Sequence, residues 1–217
     1  MLSKHTFAFL QDLEANNNRE WFHANKARYD AAKNDFAGFV TVLINRLAQF
    51  DDELSGTRAD ECLFRIFRDV RFSKNKAPYK TNFGAYMAPG GRKAMLPGYY
   101  IHVDPQQCFL AGGAYRPEPP QLLKIRQHIA DYTPEFFSIV GDPSFQKTFG
   151  DLSAGEDKLA KVPKGFPKEH EAAEYLKNKS FIAYRAIKKN EFGDVEKLAA
   201  HFQLIQPLNE FLRRAVR

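Results

Sequence analysis

Residues 98–113 read GYYIHVDPQQCFLAGG, and this stretch decides the fold. Residues 98–105 are rich in β-forming side chains and are closed by a proline, and Gln106-Gln107 separates them from residues 108–113. Two β-forming runs with so short a connection are typical of a β-hairpin. The sequence therefore predicts an antiparallel sheet in the middle of the chain.

Other segments extend this sheet. Residues 82–88 and 180–187 each predict a further strand, and residues 89–92 (PGGR) predict a turn. Residues 63–72 have β character, but apolar and charged side chains alternate imperfectly along them. The same segment placed in a helix would bring its arginines to one side, and periodicity does not decide between the two in so short a run.

Helical periodicity dominates both ends of the chain. A short helix is expected over Ser3 to Ala15 with Ser3 as N-cap, and Asn18 is expected to cap a long amphipathic stretch that reaches about residue 50 with room for one break. After the sheet, prolines open helices near residues 117–120 and 134–140. The remaining expectations are a loop-rich segment 141–168, a helix over 169–177, and a terminal helix over 195–217 interrupted near Pro207.

These elements predict the α+β fold class, with a central antiparallel sheet and helices N-terminal and C-terminal to it. A chain of 217 residues, 44% hydrophobic and with 20 Phe, can bury one sizeable core. We expect a single domain over residues 1–217. Its parts are N-terminal helices (3–50), a sheet region (62–115) and a mostly helical C-terminal region (117–217).

The sequence also indicates where in the cell the protein is located. No apolar run approaches the roughly 18 residues of a membrane span, and the start MLSKHTFAFLQDLE turns acidic where a signal peptide stays apolar. We therefore expect a cytoplasmic protein with no membrane partner. The two cysteines, Cys62 and Cys108, form no metal-binding motif and are expected to be reduced and buried.

Residues 64–80, FRIFRDVRFSKNKAPYK, carry most of the chain's net charge of +6. Asp69 is their only carboxylate, whereas six side chains are cationic: Arg65, Arg68, Arg71, Lys74, Lys76 and Lys80. Clustered cations repel one another unless an anion or buried carboxylates neutralise them, and arginine suits bidentate capture of phosphate or carboxylate. The pattern indicates an anion-binding surface.

Two other interpretations of this segment remain. The arginines can pair with internal acids such as Asp69, Glu61 and Asp60, which would make the cluster structural or regulatory. Alternatively, cations interleaved with aromatic rings can follow a nucleic-acid backbone and stack on bases. Nucleic acid ranks below a small anion because the net charge is modest and no second basic stripe is present.

Several motifs together resemble an uncharacterised family of conserved hypothetical proteins, a domain of unknown function found in many bacteria and some fungi. Its signature is of the type FRxxRDxRFSxxKxPYK, which residues 64–80 match. The resemblance implies a single α+β domain with a central basic motif, and it brings no activity with it. Further matches are Asn17-x-Arg19-Glu20-Trp21-Phe22, Asn25-Lys26, Tyr29, residues 98–102, Ala111-Gly112-Gly113, Lys164-Gly165-Phe166 and His170.

Tyr100, His102 and Asp104 alternate along one predicted strand and so share a face of the sheet. A phenol, an imidazole and a carboxylate in one row can supply a general base with an orienting acid, or part of a metal site. A His-x-Asp pattern more commonly belongs to a satisfied or exposed histidine. We expect no metal site and no cofactor, and the residues leave open whether the protein is an enzyme.

The leading hypothesis is a protein that binds a phosphorylated or otherwise anionic small molecule. Nucleic acid is the second choice, and protein partners and oligomeric state stay open. The residues proposed for the ligand are Arg65, Arg68, Arg71, Lys76, Tyr79, Lys80, Tyr100 and His102.

Overall fold

The computed structural model describes residues 1–152 and 158–217. Helices precede and follow a central sheet, which confirms the predicted α+β fold class. Short 3₁₀ helices cover Asp52–Leu54 and Lys189–Gly193. In chain order the elements are α1 (Lys4–Ala15), α2 (Arg19–Ala24), α3 (Lys26–Leu47), α4 (Ala59–Cys62), β1 (Phe83–Met87), β2 (Gly98–Val103), β3 (Cys108–Ala114), α5 (Pro119–Asp131), α6 (Thr133–Val140), α7 (Pro143–Phe149), α8 (Ala173–Leu176), β4 (Phe181–Ile187), α9 (Val195–Gln203) and α10 (Gln206–Val216).

Side-chain caps define where the N-terminal helices begin. The Ser3 hydroxyl accepts a hydrogen bond from the main-chain N–H of His5 (3.1 Å), and the Asn18 side chain accepts one from Trp21 (2.9 Å). Both caps are as predicted, because each satisfies a main-chain donor that the helix leaves unpaired. The long amphipathic stretch breaks once, at Asn25 between α2 and α3.

The four strands form one antiparallel sheet in the order β1-β2-β3-β4. The predicted hairpin is β2–β3, in which Gly98 pairs with Gly113 and His102 with Phe109. The strand predicted over residues 180–187 pairs with β3 at the far edge. These strands could be located from sequence because β-forming residues cluster in them and turn residues bound them.

One face of the sheet is packed against helices. Tyr99, Ile101 and Val103 of β2 are fully buried there, and a Cβ at Gly112 would lie 2.6 Å from Ile205, just before α10. The opposite face, which we call the second face, is only partly covered. Its half-buried side chains include Tyr100, His102, Phe109 and Tyr184.

The segment 63–72 forms neither the regular strand nor the helix considered from sequence. It makes only isolated bridges, between Leu63 and Ala85 and between Phe67 and Tyr79. Ile66 is buried while the side chains around it are mostly exposed, so neither a period of two nor a period of 3.6 fits. Main-chain hydrogen bonds instead pair residues 66–68 with residues 78–80.

The C-terminal half differs from expectation at two places. α7 forms within the segment predicted to be loop-rich, because Asp142 caps it by accepting from the N–H groups of Ser144 and Phe145, both at 2.9 Å. The helix expected over 169–177 is reduced to the four residues of α8. Residues 153–157, also in the segment predicted to be loop-rich, lie outside the described residues.

Cys62 and Cys108 are buried and form no disulfide, as predicted, and burial raises the pKa of the Cys62 thiol to about 11. Within the described residues, no helix combines the length and the apolar character needed to cross a bilayer.

A buried ion pair joins the C-terminal helix to the sheet. Arg213 of α10 donates from Nη1 to Asp51 (2.9 Å) and from Nε to the carbonyl oxygen of Pro97 (2.8 Å). The Tyr99 hydroxyl donates to the other Asp51 oxygen at 2.7 Å. Both charged side chains are almost completely buried, so each depends on the other for compensation.

Replacing Arg213 by alanine would leave the Asp51 carboxylate buried without a counter-charge. We expect Arg213→Ala to lower the free energy of unfolding by about 3–5 kcal/mol, measured by urea denaturation. The matched control is Arg214→Ala, which breaks an exposed pair with Glu135 and should cost no more than about 1 kcal/mol. Equal effects of the two substitutions would contradict this account.

Candidate anion-binding site

Some cations of residues 64–80 hold their own loop together. Arg68 donates from one guanidinium nitrogen to the carbonyl oxygen of Ala77 (3.1 Å) and from another to the Ser73 hydroxyl (3.3 Å). Lys76 donates to the carbonyl oxygen of Val70 (3.1 Å). These bonds satisfy main-chain oxygens that no strand or helix pairs, so the two side chains stabilise the loop.

Within the described residues, only one arginine of residues 64–80 forms an ion pair with Asp69, Glu61 or Asp60, the acids named from sequence. Arg71 and Asp69 form an exposed ion pair (2.6 Å), and this contact lowers the pKa of the Asp69 carboxyl. Asp60 instead pairs with Arg58 (2.9 Å), whose main-chain N–H also donates to Glu61. Arg65 has no carboxylate within ion-pair distance in the described part of the chain.

Lys80 lies among other cations rather than beside an acid. Its pKa is lowered by burial, and further by the charges of Arg65 and Arg92. The Lys80 ammonium lies 5.4 Å from the centre of the Phe64 ring, and the Arg92 guanidinium lies 5.8 Å from the same centre. In the described ranges, neither Lys80 nor Arg92 forms an ion pair with a carboxylate. The charges of Arg65 and Arg92 therefore repel that of Lys80, and a bound anion would relieve this repulsion.

A polar cavity of about 450 Å³ lies beside Lys80, and Arg68, Asn82 and the carboxylate residue Glu14 also line it. Asn17, between α1 and α2, fixes one wall by exchanging two hydrogen bonds with the main chain of Tyr79 (3.0 and 3.1 Å). The Tyr79 ring is buried and stacked on Phe22, with ring centres 4.0 Å apart. Tyr79 thus anchors the wall through its packing.

The second face of the sheet contributes a tyrosine–histidine pair. The Tyr100 hydroxyl lies 2.8 Å from Nδ1 of His102, and Phe109 stacks on the imidazole with ring centres 4.5 Å apart. Tyr100 lies over Gly84 of β1, where a Cβ would come within 2.5 Å of its hydroxyl oxygen. The absence of a side chain at Gly84 is what allows this pair to form.

Electrostatics favour the neutral form of His102. Burial lowers the pKa of His102 and the nearby charge of Lys80 lowers it further, while Asp104 acts in the opposite direction. Asp104 does not orient the imidazole, because its carboxylate accepts from the main-chain N–H of Gln106 (2.7 Å) in the β2–β3 turn. Burial also raises the pKa of Tyr100. Both groups can therefore act as neutral hydrogen-bonding partners beside Lys80.

The structure separates the residues predicted from sequence into two groups. In the first group, the charge of Arg65 lowers the pKa of Lys80, and the charge of Lys80 lowers the pKa of His102. Lys80 also lines the same cavity as Arg68. Arg71 and Lys76 belong to the exposed loop instead. Within the described residues, no three His, Cys, Asp or Glu side chains cluster closely enough to hold a metal ion.

Sequence reasoning missed Arg92 and Asn82. Arg92 follows the turn glycines Gly90 and Gly91, so the pattern there indicated only a turn. Its guanidinium is directed to the site by a hydrogen bond from Nε to the carbonyl oxygen of Leu63 (2.8 Å). That contact spans 29 positions of sequence, and no local signal reports it.

The charge of Lys80 provides a direct test of this arrangement. We expect Lys80→Met to raise the pKa of His102 towards its ordinary value, because a nearby positive charge disfavours the imidazolium. Burial also lowers the pKa of His102 and is unchanged by this substitution, so the pKa should rise only part of the way. The measurement is an NMR titration of the His102 ring protons. Lys74→Met, which removes an exposed charge from the same segment, should leave this pKa unchanged, and a shift as large as that of Lys80→Met would contradict the arrangement.

Comparison with known proteins supports the resemblance at the level of the family. A search of curated proteins and a search of solved structures gave no significant match. The sequence model described as "Conserved hypothetical protein (DUF2461)" matches residues 5–211, which includes the sheet, the cationic segment and nearly all of the surrounding helices. The chain belongs to this family of conserved hypothetical proteins, DUF2461.

Proposed function

We propose that the protein binds a phosphorylated or otherwise anionic small molecule at a site centred on Lys80. The observation that carries this proposal is the group formed by Lys80, Arg65 and Arg92, none of which forms an ion pair with a carboxylate in the described residues. Holding like charges together costs free energy in the absence of a ligand, and a bound anion offsets that cost. Sites for ligands commonly carry strained electrostatics of this kind.

The surroundings of Lys80 suit a small ligand. The cavity of about 450 Å³ lies within the range of about 300–1,000 Å³ that is typical of small-molecule sites. Arg65 and Arg92 do not line this cavity, but they lie close to Lys80 at its edge and carry planar guanidinium groups suited to bidentate contact with an oxyanion. The Asn82 amide and the Tyr100–His102 pair add neutral hydrogen-bonding groups that can orient the rest of the molecule.

A purely internal role fits other cations of the motif better than it fits Lys80. Arg68 and Lys76 bond to main-chain oxygens of their own loop, and Arg71 pairs with Asp69. Such contacts stabilise the segment and require no ligand. Across the part of the chain that the structure describes, Lys80 makes no hydrogen bond or ion pair of this kind, which is why the proposal rests on it.

A thermal-shift experiment tests the proposal. The wild-type protein is screened against orthophosphate, sulfate, citrate and a panel of sugar phosphates and other phosphomonoesters. A ligand at 100 times its dissociation constant should stabilise the fold by about 2.7 kcal/mol through mass action. Lys80→Ala and Arg92→Ala should each abolish most of that stabilisation, because each removes charge from the site.

The matched control is Lys74→Ala, which removes one exposed charge from the same segment and should retain the full response. Equilibrium dialysis with radiolabelled orthophosphate checks binding independently of stability. The proposal is wrong if no anion stabilises the wild-type protein, or if Lys74→Ala loses the response as completely as Lys80→Ala.

A further inference from the structure

Exposed phenylalanine is confined to one place in this protein. All 20 Phe of the chain lie within the described residues, and all but three are buried or half-buried. The three exposed ones lie within the cationic segment: Phe64 (42% exposed), Phe67 (47%) and Phe72 (95%). A fold that buries its other phenylalanines but exposes neighbouring ones in a single segment presents a contact surface there.

Two cations near the three rings, Arg65 and Lys74, have charged ends that form no ion pair in the described part of the chain. Lys74 is exposed and forms no ion pair or hydrogen bond among the described residues, and Arg65 has no ion pair there. Phe72 lies in the middle of the loop whose main chain Arg68 and Lys76 hold by hydrogen bonds. Its ring therefore projects from a hydrogen-bonded loop. This surface therefore combines positive charge with aromatic faces.

Phe67 shows how such a ring is fixed. It packs against Phe22, with ring centres 6.0 Å apart, and against Tyr79 at 5.6 Å, while almost half of its surface stays exposed. The ring is thus held in a defined orientation with part of its surface available for stacking. A base stacked on an aromatic ring gains free energy whatever its identity, because every base has a π face.

The charge of the surface argues against a lipid partner. Lys80 and Arg92 both lie over the Phe64 ring, so burying that ring in hydrocarbon would strip water from two cations. A polyanion with flat, unpaired bases avoids this cost, because its phosphates neutralise the cations while its bases contact the rings. Base-paired nucleic acid offers phosphates but keeps its base faces stacked inside the helix.

We infer that residues 64–76 form a binding surface for single-stranded nucleic acid, with bases stacked on Phe67 and Phe72 and phosphates on Arg65 and Lys74. This surface shares Arg65 with the small-anion site centred on Lys80, and its other contact residues lie outside that site. Phe67, Phe72 and Lys74 lie outside the group that forms the small-anion site, so the two sites can be tested separately.

Fluorescence anisotropy with labelled 12-nucleotide RNA and DNA strands of mixed sequence measures this binding, with the matching duplex for comparison. We expect single strands to bind more tightly than duplex, and Phe72→Ala to weaken binding at least about fivefold, the lower limit for loss of one stacked base. Phe72→Leu should be almost as weak, whereas Phe72→Trp should bind like the wild type, because stacking requires an aromatic face. Phe72 is 95% exposed, so these substitutions leave the core unchanged.

The cationic part is tested by salt. Lys74→Ala should reduce the slope of log affinity against log salt by about 0.7, the value for one phosphate contact on a single strand. Lys168→Ala, which removes an exposed lysine outside the segment, should leave affinity and slope unchanged. Lys80→Ala should abolish the response to small anions while changing oligonucleotide affinity less than Phe72→Ala does.

Several outcomes would overturn the inference. These are no binding of single strands at low salt, duplex binding at least as tight, or full affinity in Phe72→Leu. Sedimentation with vesicles of anionic phospholipid, in the absence of oligonucleotide binding, would assign the surface to a membrane instead. Loss of oligonucleotide binding in Lys80→Ala with retention in Phe72→Ala would mean that the Lys80 site alone binds the strand.

Discussion

The buried pair of Arg213 and Asp51 is the interaction on which the arrangement of the site depends. Asp51 accepts a hydrogen bond from the Tyr99 hydroxyl as well as from Arg213. Arg213 also donates to the carbonyl oxygen of Pro97 and so holds the chain just before β2. Side chains alternate between the faces of a strand, so fixing Tyr99 in the core places Tyr100 and His102 on the second face. A shift of one residue would reverse this arrangement.

Burying two charges costs desolvation free energy, so the pair is not explained by stability alone. Its effect on the register of β2 is the more informative property. Nη2 of Arg213 has no hydrogen-bond partner among the described residues, so the network around the pair is only partly satisfied. Apolar side chains of similar volume can stabilise a core as well as such a pair does. Apolar contacts are not directional, whereas these hydrogen bonds of 2.7–2.9 Å can form in only one placement of β2 against α10.

The cationic segment divides its charges between two roles. Arg68 and Lys76 satisfy main-chain oxygens in a loop that has no regular secondary structure, whereas Lys80 lies near Arg65 and Arg92 and forms no ion pair within residues 1–152 and 158–217. The first role makes the second possible, because repelling cations stay close only if the backbone that carries them is fixed. Asn17 contributes to that support by bonding the main chain of Tyr79.

The amino-acid sequence by itself determined the helix caps, the β2–β3 hairpin and the α+β class, because each depends on neighbouring residues and short periods. It also located the cationic segment. Only the tertiary structure decided which cations are compensated: Arg92 bonds the Leu63 carbonyl oxygen across 29 positions, and Arg213 bonds Asp51 across 162. The irregular path of residues 63–72 was decided there too. Charges attract any opposite charge within reach, so their partners are selected by the packing of distant elements and leave no periodic signal in the sequence.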